Sequence, residues 1–254
     1  MCRHLAYLGP PATLAEVLVD PPHSLFRQSW EPRLQTSGVV NADGFGVGWY
    51  ETSRRAEPAR YRSPRPIWAD ANFASLAGVV TSTAILAAVR SATPPSPVEE
   101  SSTPPFLAAR WLFSHNGALD GFSAGVGARL RRGLSDERAS GIVGTSDSEL
   151  LFALVLDGLD AGLPLAESLA ATVQCVQSAT SGRLNLLATD GTVIVATRCG
   201  ESLFVRHETG TGGAAVTVAS EPCDGDPHWE EVPEGSLVEA RPSGVTWRPL
   251  VDPQ

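Results

Sequence analysis

The second residue of the chain carries the most distinctive chemistry. Cys2 follows Met1 directly, so removal of one residue leaves a cysteine with both a thiol and a free α-amine. The amine, with a usual pKa of about 7.7–8.0, can accept the proton of a thiol whose usual pKa is about 8.5. One residue then supplies a nucleophile and its general base. We expect Cys2 to be catalytic if other residues complete a site around it.

An arginine at the end of an apolar run is suited to binding a carboxylate. Residues 79–89 are apolar and β-branched enough to predict a buried strand, and Arg90 follows them in the motif Arg90-Ser91-Ala92-Thr93. A guanidinium presents a planar fork that can donate two hydrogen bonds to one carboxylate. The alternative is a surface arginine whose stem lies along apolar neighbours.

A second motif offers hydrogen-bond donors for a developing negative charge. Residues 111–113 predict a strand that runs into a turn at His115-Asn116-Gly117. The side-chain amide of Asn116 and the backbone N–H of Gly117 could together stabilise an oxyanion. The alternative is structural, since Asn-Gly is also a favoured hairpin turn. His115 is a possible base, although a hydrogen-bonded structural histidine explains it equally well.

A third motif opens a predicted helix and places a carboxylate at its start. In Thr145-Ser146-Asp147-Ser148-Glu149, a capping box between Ser146 and Glu149 explains two residues without any function. The capping box does not explain Asp147, which could bind an ammonium group. These groups together fit one substrate class. The nucleophile and the oxyanion donors suit an amide carbonyl, the arginine suits a carboxylate, and the aspartate suits an ammonium group. That class is a γ-glutamyl amide.

Composition limits the remaining possibilities. The 254 residues carry a net charge of −9, and their few basic clusters argue against nucleic acid as a partner. The start of the chain has no apolar run of signal-peptide length and no stretch long enough to span a membrane, so we expect a cytoplasmic protein. Four dispersed cysteines show no metal-ligand spacing, and we expect no metal or cofactor.

The order of predicted elements indicates an α+β fold in a single domain, 1–254. Short strands fill the N-terminal half, and a Pro- and Ser-rich loop at residues 94–105 is long enough to be functional. Two helices follow, the first near Ser146 and the second with an apolar stripe at Leu165, Leu169 and Val173. The remainder is rich in strands, with a hairpin signal at Asp190-Gly191. This order is typical of two sheets with helices packed against them.

These motifs resemble the class II glutamine amidotransferases, which are N-terminal nucleophile hydrolases. The resemblance covers nearly the whole chain and implies an αββα four-layer sandwich, with two antiparallel sheets between helical layers, and no cofactor. It implies that Cys2 is the nucleophile and that Asn116 and Gly117 form the oxyanion hole. The glutamyl-binding residues that it implies are Arg90, Thr93 and Asp147.

The chain departs from the common family pattern at three positions. Arg3 stands where amidotransferases often have glycine, and Ser91 and Pro94 replace a Trp and a His that often flank the arginine motif. We also expect no synthase domain within these 254 residues to receive ammonia. Four stretches, MCRHLAYLG, VDPPHSL, NADGFGVG and VRSAT, are most similar to the stand-alone branch of the family that hydrolyses γ-glutamyl-hercynylcysteine S-oxide in ergothioneine biosynthesis.

The resemblance leaves alternatives. The leading interpretation is a γ-glutamyl amidase that acts on a small molecule through a Cys2 thioester, without obligatory partners. The alternatives are a glutaminase subunit that supplies ammonia to a separate synthetase, and a non-catalytic binding module. The trimethylammonium group of the implied substrate favours an aromatic wall in the pocket. Trp30, Trp49 and Trp111 are candidates for that wall, although core packing explains each of them.

Overall fold

The computed structural model describes residues 2–94, 96–210 and 212–250. This part of the chain contains thirteen strands and seven α-helices. The strands are β1 (Arg3–Thr13), β2 (Phe45–Trp49), β3 (Ala59–Ser63), β4 (Thr81–Val89), β5 (Phe106–Ala108), β6 (Trp111–Leu119), β7 (Gly182–Thr189), β8 (Ile194–Arg198), β9 (Phe204–Gly210), β10 (Gly213–Ala219), β11 (Trp229–Glu231), β12 (Ser236–Arg241) and β13 (Gly244–Pro249). The helices are α1 (Leu14–Leu18), α2 (Leu25–Gln28), α3 (Ala71–Ala77), α4 (Val126–Arg131), α5 (Asp136–Ser140), α6 (Asp147–Asp160) and α7 (Leu165–Ala179).

The strands form two antiparallel sheets. The first sheet has the order β11-β9-β10-β1-β4-β2-β3, and the second has the order β13-β12-β8-β7-β6-β5. Strand β1 is central to the first sheet, because it pairs with β10 on one side and with β4 on the other. Strand β6 pairs with β7 along nearly its whole length, from Leu112 opposite Thr189 to Leu119 opposite Gly182.

Three apolar clusters separate four layers. Helices α1 to α3 pack on the outer face of the first sheet, around Leu14 and Phe73. Helices α4 to α7 pack on the outer face of the second sheet, where Leu151 and Leu169 are fully buried. The third cluster lies between the sheets and contains side chains from both. The fold is therefore the αββα sandwich that the resemblance implies.

The sequence predicts the long helices and most of the later strands correctly. Helix α6 begins after Ser146, and α7 buries the predicted apolar stripe. The Asp190-Gly191 pair joins β7 to β8, and Gly191 has the positive φ of 86° that this turn favours. Five helices of four to seven residues are missed, because they are too short to show a helical period. Within the described residues no helix is long and apolar enough to cross a bilayer.

One predicted turn is wrong. The sequence predicts that the strand from Trp111 turns at Asn116-Gly117, but β6 continues through both residues to Leu119. The reason is tertiary, since β7 lies alongside and pairs with this whole segment. The hairpin-turn explanation of Asn116 is thereby removed. The chain instead reverses after β6, near Gly121, whose φ is 65°.

A buried tyrosine links the first sheet to the second. Tyr50 follows β2 and is 5% exposed, and its hydroxyl lies 2.7 Å from the carbonyl oxygen of Arg110 and 2.9 Å from that of Thr189. We expect Tyr50→Phe to lower the free energy of unfolding by about 1–3 kcal/mol, because it removes the hydroxyl that bridges the two carbonyls, of which that of Thr189 is buried. Denaturant titration measures this loss.

Tyr7→Phe is the matched control for this measurement. The Tyr7 hydroxyl donates to the carbonyl of Pro10, three residues away, in a half-buried position. Its removal should cost less, because the lost bond is local and water can replace the donor. Equal losses in the two variants would contradict the special contribution of Tyr50 between the sheets.

Candidate active site

A cleft of about 490 Å³ opens where the start of β1, the end of β4, the end of β6 and the start of α6 meet. Five of the six site residues predicted from the sequence line this cleft, and the sixth, Asn116, is fully buried. The five that line it are Cys2, Arg90, Thr93, Gly117 and Asp147.

Cys2 faces the layer between the two sheets. Successive side chains of a strand alternate between its faces. In β1, Leu5 packs in the outer cluster and Ala6 packs between the sheets, so Cys2 shares the inner face with Ala6. Its Sγ is partly exposed and lies 4.0 Å from the carbonyl oxygen of Ser91. Met1, whose removal the sequence suggests, lies outside the described residues.

Asn116 faces the same inner layer from the opposite sheet. In β6, Leu112 packs between the sheets and Ser114 lies 3.3 Å from His4 of β1, measured from Oγ to Nδ1. Asn116 continues this inner row. It is 0% exposed, and within the described residues neither its amide nitrogen nor its amide oxygen has a hydrogen-bond partner. An unsatisfied buried amide costs about 1–3 kcal/mol, so the fold alone does not account for it.

The backbone N–H of Gly117 points away from its partner strand. Antiparallel pairs alternate between residues that exchange both backbone hydrogen bonds and residues that exchange none. Gly117 lies opposite Leu184, whose N–H donates to Cys199 on the far side of β7 at 2.8 Å. The Gly117 N–H therefore points toward the side where β5 has already ended. Two residues further on, the Leu119 N–H donates to Asp147 on this same side at 3.0 Å.

Position 117 requires glycine for steric reasons. A Cβ placed there would lie 1.9 Å from the carbonyl oxygen of Arg183 and 2.6 Å from Nε2 of His115. Both distances are far below van der Waals contact. The backbone of β6 therefore approaches β7 at this point as only glycine allows.

Neither nearby histidine is placed to act as the base for Cys2. His115 points to the opposite face of β6, where its Nε2 donates to the carbonyl of Arg183 at 2.9 Å and its Nδ1 lies 3.1 Å from Ser148 Oγ. His4 faces the inner layer, but its burial lowers its pKa to about 3, and the charge of Arg3 acts in the same direction. His4 is therefore neutral at pH 7, with no proton equilibrium in that range.

Arg90 is buried and binds the loop that follows it. Its Nη2 donates to Ser96 Oγ at 2.8 Å, and its Nη1 donates to the carbonyls of Pro97 at 3.0 Å and Asp43 at 3.3 Å. The side chain is only 5% exposed, yet no carboxylate in the described part of the chain forms an ion pair with it. A buried guanidinium without a counter-ion favours binding of an anion from outside the protein.

Asp147 presents a partly exposed carboxylate at the first position of α6. Its Oδ2 accepts the backbone N–H of Leu119 at 3.0 Å, and its Oδ1 accepts from Ser148 at 3.2 Å. The side chain is 20% exposed and lines the cleft. A helix N-terminus stabilises a negative charge in this position. Asp147 therefore joins β6 to α6 and still leaves part of its carboxylate open to a ligand.

The capping box predicted at this helix is only half formed. Ser146 Oγ accepts the N–H of Glu149 at 3.2 Å, as predicted. The Glu149 carboxylate instead accepts the N–H groups of Val143 at 2.9 Å and Gly144 at 2.6 Å. The side chain of Glu149 thus fixes the loop before the helix, which carries Thr145 into the cleft wall.

The aromatic wall of the cleft differs from the sequence-based candidates. Trp30 packs against Trp68 with ring centroids 5.7 Å apart, while Trp49 and Trp111 pack against the two outer clusters. None of the three candidates is among the residues that line the cleft, and the aromatic side chain that does so is Phe122. Local sequence gave no signal for Phe122, since it follows the turn after β6.

Arg183 is a basic residue of the cleft that sequence reasoning missed, as it also missed the acidic Asp120. Arg183 lies at the start of β7, opposite Ala118, and its side chain is 37% exposed. Its Nε lies 3.2 Å from Oε1 of the buried Glu201. No motif marks Arg183, because its place in the cleft depends on the pairing of β7 with β6.

Comparison with known proteins identifies the family to which the chain is similar. Residues 14–209 match the model of the family described as class II glutamine amidotransferases. The chain is 40% identical over 252 residues to the γ-glutamyl-hercynylcysteine sulfoxide hydrolase of Mycolicibacterium smegmatis, covering 98% of this chain and 100% of that protein. The protein of the same name from Mycobacterium tuberculosis is 41% identical over 248 residues, covering 97% of this chain and 95% of the relative.

A solved structure supports the same assignment. The glutamine aminotransferase class-II domain protein from Silicibacter pomeroyi superposes with a TM-score of 0.69 and 27% sequence identity. The match covers 98% of this chain and 100% of that protein. The likeness therefore extends over nearly the whole of this chain.

Replacement of Asn116 separates a catalytic role from a structural one. Asn116→Ala should not lower the free energy of unfolding, because relief of the unsatisfied buried amide offsets the packing that is lost with the side chain. If the amide stabilises an oxyanion, kcat should fall by ~10²–10³ with little change in KM. Steady-state kinetics and denaturant titration of the same preparation check both expectations. A loss of stability with normal kcat would contradict the oxyanion role.

Proposed function

Because this chain belongs to the class II glutamine amidotransferases, we propose that it hydrolyses the γ-glutamyl amide of γ-glutamyl-hercynylcysteine S-oxide. The products are glutamate and hercynylcysteine S-oxide, an intermediate of ergothioneine biosynthesis. The substrate is a small molecule, and the reaction needs no second protein. The relatives matched over nearly the full chain support this choice of substrate.

The main support for this chemistry is that the buried amide of Asn116 has no hydrogen-bond partner within the described residues. It lies in the inner layer that Cys2 also faces, and beside it the N–H of Gly117 is directed away from the strand ladder. Two donors next to a nucleophile are what acyl transfer needs, because charge develops on the carbonyl oxygen in the transition state.

The first half of the reaction forms a thioester. The α-amine of Cys2 takes the thiol proton, and the sulfur attacks the γ-carbonyl carbon of the substrate. The carbonyl electrons move to the oxygen, which accepts hydrogen bonds from Asn116 Nδ2 and the Gly117 N–H. When the carbon–nitrogen bond breaks, the leaving amine takes the proton that the α-ammonium holds. The neutral α-amine is thereby restored.

The second half returns the enzyme to its starting state. The α-amine of Cys2 removes a proton from water, and the resulting hydroxide adds to the thioester carbon. The same two donors stabilise the second oxyanion. Its collapse expels the Cys2 sulfur, which recovers its proton from the α-ammonium, and glutamate leaves the cleft. The proposed base is free only after Met1 is removed, since Met1 acylates the amine.

The glutamyl end of the substrate matches the charges on one side of the cleft. Arg90 would bind the α-carboxylate, because its buried guanidinium has no carboxylate partner in the described part of the chain. Asp147 would bind the α-ammonium through the exposed part of its carboxylate. Thr93 lies exposed at the rim and would contact the same end of the substrate. These contacts orient the γ-carbonyl toward Cys2.

We expect Cys2→Ala to retain the fold and lose turnover, because the variant has no nucleophile. The assay measures glutamate release from γ-glutamyl-hercynylcysteine S-oxide without other proteins, and mass spectrometry of acid-quenched wild type detects the thioester. Cys175→Ala is the matched control, since Cys175 is an exposed free thiol on α7. Activity of the Cys2→Ala variant at the wild-type level would overturn the mechanism.

The same assay distinguishes the proposed hydrolase from a glutaminase subunit. The hydrolase should cleave the conjugate more efficiently than glutamine when it acts alone. Preference for glutamine, with release of ammonia stimulated by a second protein, would replace the proposal by the glutaminase alternative. Cleavage of neither compound by protein with a free Cys2 amine would remove both.

Asp147→Asn should impair substrates with a free α-amine far more than substrates whose amine is acylated. Asparagine can still accept the Leu119 N–H through Oδ1, but it has no negative charge to pair with an ammonium. We expect kcat/KM for the free-amine substrate to fall roughly 10- to 100-fold, in line with a charged hydrogen bond. Equal losses on both substrates would show that Asp147 only holds β6 to α6.

A further inference from the structure

The cleft contains one cation that the glutamyl half of the substrate does not use. Arg183 lines the cleft together with Cys2 and Gly117. Its Nε lies 3.2 Å from the Glu201 carboxylate as an ion pair without a hydrogen bond, and within the described residues no hydrogen bond or ion pair involves its two terminal nitrogens. With 37% of its side chain exposed, the guanidinium is open to a ligand in the cleft.

The register of β7 places Arg183 next to the proposed oxyanion hole. Leu184 and Leu186 pack in the outer cluster, so Arg183 and Asn185 face the layer between the sheets. Asn185 lies directly opposite Asn116, which makes Arg183 the diagonal neighbour of Asn116 on the same face. Diagonal neighbours are ~7–8 Å apart, within reach of a long side chain.

Gly200 and Glu201 position the side chain of Arg183. Its stem lies over Gly200, where an added Cβ would come within 2.7 Å of the Arg183 Cγ. The buried Glu201 lies 3.2 Å from its Nε, but it also pairs with Arg3 at 3.4 Å and accepts from Thr36 at 3.0 Å. Because Arg3 and Arg183 share this one carboxylate, Glu201 compensates only part of the positive charge of Arg183. These contacts position the aliphatic stem and Nε of Arg183, and its two terminal nitrogens remain available for a ligand.

We infer that Arg183 binds a carboxylate of the leaving group, the one attached to the carbon that bears the scissile amide nitrogen. This inference rests on the proposed function. Arg90 and Asp147 satisfy the two charges at the glutamyl end, so a second guanidinium beside the oxyanion donors faces the other side of the amide. An amino-acid leaving group carries a carboxylate there, whereas the leaving group of glutamine is ammonia. Arg183 thus selects γ-glutamyl amino acids over glutamine.

The test compares two substrates that differ only in this carboxylate. One is γ-glutamyl-hercynylcysteine S-oxide, and the other is its analogue built with cysteamine in place of cysteine. Wild type should show a kcat/KM for the first about 10- to 100-fold higher than for the second, mainly through KM. In Arg183→Met, which keeps the stem over Gly200, this ratio should fall to within a few-fold of one.

Two further variants make the result specific. Arg183→Lys keeps a positive charge beside Glu201 but loses the planar fork, so its ratio should lie between those of wild type and Arg183→Met. Arg241→Met removes one exposed arginine of β12 outside the cleft and should keep the wild-type ratio. If Arg183→Met does not fold, the wild-type and Arg183→Lys ratios decide the question.

The outcomes separate this inference from the proposed function. A wild-type ratio near one, or a ratio unchanged by loss of Arg183, would overturn the carboxylate subsite and leave the γ-glutamyl hydrolase intact. Equal loss on both substrates would show that Arg183 only supports the backbone beside Gly117. Wild type that cleaves neither substrate would overturn both proposals.

Discussion

A buried ion-pair network fixes the start of β1, directly after the proposed nucleophile Cys2. Arg3 is 0% exposed and lies 3.4 Å from Glu201 and 3.5 Å from Glu221, and Glu221 also accepts from His23 at 2.9 Å. Burial opposes ionisation of Glu221, but its hydrogen bonds and the charge of Arg3 keep its pKa below the usual value. Loss of one partner of such a pair costs about 3–5 kcal/mol. With Arg3 fixed on one face of β1, alternation directs Cys2 to the other.

In β6, too, neighbouring side chains point to opposite faces of the sheet and have different roles. His115 turns to the helical layer and joins the backbone of β7 to Ser148 of α6. Asn116, its neighbour in sequence, turns to the layer between the sheets and stays unpartnered within the described residues. The strand therefore builds the support of the cleft on one face and the proposed oxyanion donor on the other. Asp147 extends this arrangement, since it binds Leu119 of β6 from the start of α6.

Local patterns in the sequence account for much of the fold and for most of the proposed site. The apolar stripe of α7, the capping Ser146 of α6 and the Asp190-Gly191 turn all depend on residues close together in the chain. The chemical types around the cleft, a thiol, a buried arginine and a carboxylate at a helix start, are also visible in sequence. Five of the six residues predicted from these types do line one cleft.

The sequence by itself determined which functional groups are present and in what order. Tertiary structure decided which way they face and which others join them. Asn116-Gly117 has the composition of a turn, but pairing with a strand more than sixty residues away makes it part of β6. The same register brings Arg183 to the cleft, which Phe122 also lines and the three candidate tryptophans do not. The physical reason is that strand register and layer packing are set by contacts between distant segments, which local periodicity does not encode.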